Sequence, residues 1–137
     1  MIVDMKALCT LDTPPVSAIA RILLTAPFWW SGLSKLFDFT GAVAEAAHFG
    51  LAPAPLAAVA VILIQLGGSA LIVFGRYVWI GAAVLAVFTV LANLVGHPFW
   101  TLDDPMARFH DMNAFLANIG LIGGLGLAAI LDDRRHE

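Results

Sequence analysis

Charged side chains vanish from three long runs of this chain, Phe49 to Gly75, Tyr77 to Leu102 and Met112 to Leu131. At about 1.5 Å of rise per helical residue, roughly 20 apolar residues cross a hydrocarbon layer about 30 Å thick, so each run predicts one membrane-spanning helix. Pro53 and Pro55 disfavour helix ahead of the first of these and Gly75 closes it, which sets the spans at about 56–74, 78–96 and 112–131. An earlier span, at about 16–37, holds Arg21 and Lys35. These two flank the apolar core Ile22 to Ser34, where long side chains can reach toward headgroups from either end.

The predicted fold is therefore all-α: an integral membrane bundle of four transmembrane helices forming a single domain over residues 1–137, with short tails at 1–15 and 132–137. Between the first two spans, Ala42 to His48 can form a short helix lying in the interface. After the third comes a longer connection, His97 to Asp111, rich in Pro, Asp, His and aromatic residues. No internal repeat, low-complexity tract or second domain is evident.

Composition agrees with a lipid solvent. At 61% hydrophobic and 12% charged residues, with mean hydropathy +0.90, the chain has too little polar surface for a water-soluble fold of its length. The segment Met1 to Pro15 carries Asp4, Asp12 and the single Lys6 rather than a basic leader, which argues against a cleaved signal peptide. Cys9 has no partner in the chain, which excludes an intramolecular disulfide or CxxC thiol relay. The net charge of -3 and the lack of a basic cluster give no sign of nucleic acid binding.

An even number of crossings puts both termini on one side. Lys6, Arg76, Arg134 and Arg135 lie there with Arg21 close by, against Lys35 and Arg108 on the other, so the excess of positive charge predicts cytoplasmic termini. Tyr77 and Trp79 then fall at the inner end of the third span, with Phe99 and Trp100 just past its outer end, where such rings favour the headgroup level.

Small residues mark packing faces, because close backbone approach is a main source of helix association in lipid. Gly120 and Gly124 form a GxxxG step in the fourth helix, and Gly67 and Gly68 lie beside Ser69 and Ala70 in the second. They serve either the bundle itself or a homo-oligomer face. In the first span Arg21, Thr25, Phe28, Gly32 and Lys35 are spaced by four and three residues and share one face, which should point into the bundle or toward the headgroups rather than into acyl chains.

The unusual polar residues gather at the predicted outer end. Lys35 ends the first span, Glu45 and His48 follow it, Asn93, His97 and Trp100 close the third, and His110, Asp111 and Asn113 open the fourth. Lys35 either snorkels or pairs with Asp111 or Glu45. Asp111 sits where a carboxylate favours a helix N-terminus, as a cap or first-turn charge. Gln65 and Asn118 lie deeper and are expected to make interhelical hydrogen bonds. His48, His97, His110 and Asp111 lack the short fixed spacing of a zinc signature, so no metal site is predicted, and no nucleophilic triad or phosphate-binding glycine loop is found.

At this point the residues match a family. The segment Arg21 to Leu36 resembles the R...F...G..K signature that opens DoxX family membrane proteins. Phe49 to Ala57 resembles the Gly-x-Pro start of their second helix, and Gln65 to Gly75 its glycine-bearing body. Gly96 to Trp100 is similar to their H-x-x-W element, and Asn113 to Gly124 to their fourth helix. The resemblance implies a multi-pass protein of the bacterial cytoplasmic (inner) membrane, and for some members a place in a quinone-linked oxidoreductase or another redox complex. Gln65 stands where many members have Glu, and Ala117 where some carry Lys.

Three functions compete. One is a membrane subunit of a redox assembly that binds a quinone or similar amphiphile near the outer leaflet, with Lys35, Asn93, His97, Trp100, His110, Asp111 and Asn113 as the ligand-contacting set. No redox centre or catalytic motif is evident in the chain, so electrons would come from partner subunits. The second is a noncatalytic anchor or assembly factor working through its helix faces. The third, passage of a small solute, is disfavoured by the sparse polar lining beyond Gln65 and Asn118.

Overall fold

A computed structural model describes residues 13–137. Cys9 and the tail charges Asp4, Lys6 and Asp12 lie outside the described residues. The described chain is helical throughout, with no strand: α1 (Pro14–Phe37), α2 (Phe39–His48), α3 (Ala54–Val73), α4 (Val78–Gly96), a single 3-10 turn at Phe99–Thr101, and α5 (Pro105–Arg135). Four of these helices are long and apolar enough to cross a membrane. Their outer surfaces are apolar, with Leu23, Trp30, Leu63, Phe74 and Leu127 all exposed, as lipid-facing positions should be.

α1 begins with Pro14 and Pro15, which lack only amide donors that the first turn leaves unpaired anyway. Pro27 lies inside it without ending it and leaves Leu23 O without its amide donor. Beside it Thr25 Oγ1 donates to Arg21 O and Ile22 O, at 2.8 and 3.3 Å, and Trp29 Nε1 donates to Ile22 O at 3.1 Å. Of the two directions open to the shared face of α1, the structure takes the inward one: Thr25, Phe28 and Gly32 are buried, with Arg21 and Lys35 half-buried at its ends.

α2 is longer than the predicted 42–48 because Asp38 caps it, accepting from Gly41 N at 2.9 Å. Ala42 and Ala46, one turn apart, bury against α3 and α1, so α2 lies across the end of the bundle opposite the termini.

The largest departure is at α5, which starts at Pro105 instead of about residue 112. Asp104 accepts from Ala107 N at 2.8 Å and Pro105 takes the first helical position, a strong start signal. Hydropathy missed it because Arg108 and Asp111 interrupt the apolar run. The predicted connection from His97 to Asp111 is thus half helix, and Asp111 stands in the second turn of α5, not at a cap.

α1 packs on α3, α3 on α4 and α4 on α5, while α1 and α5 meet over a narrower zone. Phe28, Ile72, Val78, Ala82, Leu85 and Leu125 form the core, toward the end that carries the termini. A Cβ on Gly32 would lie 2.8 Å from Leu66, and one on Gly68 would lie 2.7 Å from Leu85. Gly81, which the sequence reading passed over, lets α4 approach the backbone of α3: a Cβ there would sit 2.7 Å from Gly68 O. Gly124 has Leu24 at 3.0 Å, but Gly67 and Gly120 have nothing within 4 Å, so neither packs the bundle.

At the termini end the helices are tied by charge. Arg21 donates to Ile72 O at 3.3 Å and pairs with Asp132 at 3.2 Å, and His136 lies 3.7 Å from the same carboxylate. Gly75 turns the chain between α3 and α4 at φ +69, directly beneath the Arg21 guanidinium.

Candidate functional site: a cavity at the α2 end

Between the α2 end of the bundle and its middle lies a cavity of about 550 Å³. That is within the range of small-ligand sites, roughly 300 to 1,000 Å³. Its walls are mainly apolar, with Phe28 on α1 set edge-on to Phe88 on α4 at 6.4 Å between ring centroids, and Val61 of α3 nearby. α2 contributes Ala42, Glu45 and Ala46. Polar groups occur at two levels: Lys35, Glu45 and His97 near the helix ends, and Gln65, Thr89 and Asn118 in the middle of α3, α4 and α5.

The charges at the first level are paired. Lys35 Nζ lies 3.0 Å from Glu45 Oε2 and donates to Ser31 Oγ at 2.9 Å. Of the two partners the sequence offered Lys35, the structure selects Glu45. His97 Nδ1 lies 3.1 Å from Asp111 Oδ1, a contact made because the early start of α5 brings its second turn beside the end of α4. At the cavity mouth Lys35 is therefore neutralised by Glu45 and the Asp111 carboxylate is engaged by the His97 ring, which leaves no cation uncompensated there.

Deeper in, Asn118 Nδ2 donates to Asn93 Oδ1 at 2.9 Å, and Asn93 Nδ2 donates to Phe115 O at 3.1 Å. This is the interhelical hydrogen bond expected of Asn118. Gln65 differs: it is 5% exposed, it lines the cavity, and its Oε1 has no hydrogen-bond partner among the described residues. Thr89 is buried too and spends its hydroxyl proton on Leu85 O at 2.7 Å.

Of the seven residues the sequence grouped as ligand contacts, Lys35 and His97 line the cavity. Asp111 stands behind His97, and Asn93 behind Asn118. Trp100 instead joins an aromatic cluster with Phe99 and Phe115, at centroid distances of 5.3 to 5.9 Å, and it does not line the cavity. His110 and Asn113 are exposed and also outside it. Sequence reasoning missed Thr89 and Phe88, which carried no polar or spacing signal strong enough to separate them from core. It also missed Asp132 as the partner of Arg21, since a tail carboxylate beside Asp133 reads as solvent-facing. Among the described residues no three His, Cys, Asp or Glu side chains come together as a metal site.

No solved structure matches the chain. Inner membrane protein YphA of Escherichia coli K12 is 30% identical over 118 residues, covering 85% of this chain and 83% of that protein. With four apolar spans, this likeness places the chain as a multi-pass protein of a bacterial inner membrane. The DoxX family model matches residues 16–98, from α1 through α4. By both comparisons the chain belongs to the DoxX family of membrane proteins.

Proposed function

We propose that this protein is the membrane subunit of a redox-linked complex and holds a neutral quinone-type amphiphile in the cavity at its α2 end, with that end in the outer leaflet and both termini in the cytoplasm. The observation that carries this reading is a cavity of about 550 Å³ with aromatic and aliphatic walls and an unpartnered polar group at mid-depth. A quinone asks for such a site: flat apolar walls for the ring, a few hydrogen-bonding groups for its oxygens, and an apolar outlet for the tail. Paired charges at the mouth disfavour anionic lipids by leaving no cation uncompensated there. The protein's own residues bind and orient the molecule, and electrons arrive from a partner subunit.

The test is gentle purification, lipid extraction and assay for bound quinone, followed by direct titration with a short-tailed quinone. Stoichiometric quinone or saturable binding is expected. Absence of both removes the reading.

A noncatalytic anchor is the second reading, favoured by the open space at Gly67 and Gly120, which leaves two small-residue positions free to meet a partner helix. Cross-linking from α5 to co-purified membrane proteins tests it, and loss of partner capture in Gly120→Leu is the expected result.

A further inference from the structure

Resting on the binding reading above, we infer that the ligand enters the cavity sideways out of the lipid, through an apolar window bordered by the α2–α3 connection and the last turns of α4, and that its hydrocarbon tail stays lodged in that window.

A residue that lines a cavity and is also exposed marks a place where the cavity opens. Five apolar residues do both: Phe49 and Leu51 in the connection after α2, 39% and 43% exposed, and Leu91, Ala92 and Val95 on α4, with Leu91 at 59% and Val95 at 50%. Leu91 stands five residues before Gly96, the end of α4, so the opening reaches about 8 Å down the helix from the headgroup level. It lies where α3 and α4 have parted. Toward the termini end these helices touch through glycine, a Cβ on Gly81 falling 2.7 Å from Gly68 O, whereas toward the α2 end the cavity is lined by Ala58 and Val61 of the one and Ala92 of the other. Alanine at two of those positions leaves the space unfilled.

The end of the bundle is closed by contrast. α2 lies over it with Ala42 and Ala46 buried, and the Lys35–Glu45 pair at 3.0 Å fastens α2 to α1. A solute arriving from water meets that roof and its paired charges. A molecule already dissolved in the bilayer meets the apolar rim instead, since side chains exposed at that depth face lipid. Among the described residues α1 offers one exposed lining position, Pro27, beside the half-buried Ser31 and Lys35, so the opposite flank is narrower and more polar.

The rim also selects the ligand. A tail gains little by exchanging acyl chains for leucine and valine, so the window supplies passage rather than affinity, and the head reaches the cavity without drawing its tail out of the hydrocarbon. A neutral ring on a single chain can pass, whereas a phospholipid would have to carry its phosphate across five apolar side chains.

The experiment uses the full-length protein in lipid nanodiscs and a benzoquinone whose alkyl tail ends in a photoactivatable diazirine. After irradiation, peptide mapping is expected to show label on Phe49, Leu51, Leu91 and Val95 that an excess of short-tailed quinone removes, while label on lipid-facing Leu63 and Leu127 is unaffected. Ala92→Trp, a change at an exposed position, is expected to slow association of the long-tailed quinone about tenfold by obstructing the window, with Leu127→Trp matching the wild type. Competable label concentrated around Pro27 instead, or an unchanged association rate in Ala92→Trp, overturns the inference and leaves the binding reading standing. No competable label together with no saturable binding of the short-tailed quinone overturns both.

Discussion

Arg21 and Asp132 are 111 positions apart in sequence and meet at 3.2 Å, closing the bundle where its first and last helices converge. Both side chains are largely shielded, at 17% and 14% exposure, and the guanidinium also holds Ile72 O. Removing either partner leaves the other charge poorly solvated. Arg21→Ala is expected to destabilise by about 2 to 4 kcal/mol and Asp132→Ala by somewhat less, because the arginine alone also serves the end of α3. Arg21→Lys should rescue only part, since an ammonium lacks the planar fork that spans two acceptors. Thermal unfolding in detergent gives the ranking.

Helix contacts can be tested at glycine. Gly81→Ala puts a methyl 2.7 Å from a backbone oxygen that cannot rotate away, and a loss of about 1 to 3 kcal/mol is expected. Gly120→Ala meets open space and should change monomer stability by less than about 0.5 kcal/mol. The same pair of variants, compared by unfolding and by cross-linking, separates bundle packing from contacts with other chains.

Gln65 should be a stability liability in the ligand-free protein. Replacing its unpartnered amide with leucine is expected to raise stability by about 1 kcal/mol or more, provided the volume is accommodated. A rise in melting temperature for Gln65→Leu without ligand, measured in the same detergent as the wild type, is the result to look for. A fall would mean that the amide is serving the fold.

His97 and Asp111 should behave as a pair. If Asp111 orients the His97 ring, His97→Ala and Asp111→Asn are expected to weaken ligand binding by similar factors, and the double variant by little more than either single. Additive losses in the binding titration would show that the two act separately.

Topology is accessible to reporter fusions. Activity from cytoplasm-reporting tags at both tails, with an externally active reporter after His48, is the expected pattern given the clustering of Arg76, Arg134 and Arg135 at the termini end.

Much of the fold was legible because lipid imposes a simple rule: runs free of charge long enough to cross it become helices. α3 and α4 fall almost where their hydropathy placed them, and the residues that share one face of α1 follow from spacing, although its inward direction does not. The start of α5 escaped that rule. A helix outside the hydrocarbon tolerates Arg108 and Asp111, so its true beginning is written in a cap, Asp104 with Pro105, rather than in apolarity. The site was legible at one level only. Charged residues such as Lys35 and His97 announce themselves in an apolar sequence, whereas the convergence of Gln65, Thr89 and Phe88 depends on how three helices lean on one another. Residue type also misled: His110, Asn113 and Trp100 are polar or aromatic in the right segment but turn to the outside of the helices that carry them.

α5 has 31 residues, about 46 Å of helix against a layer of about 30 Å. The excess emerges as a short rigid stalk, and its base carries Asp111, one half of the pair at the cavity mouth. Bilayer thickness thereby bears on the surroundings of that pair. A thicker membrane draws the stalk inward or straightens its tilt, and a thinner one bares more of it to water, so the width of the surrounding lipid sets how wet the Asp111 carboxylate stands.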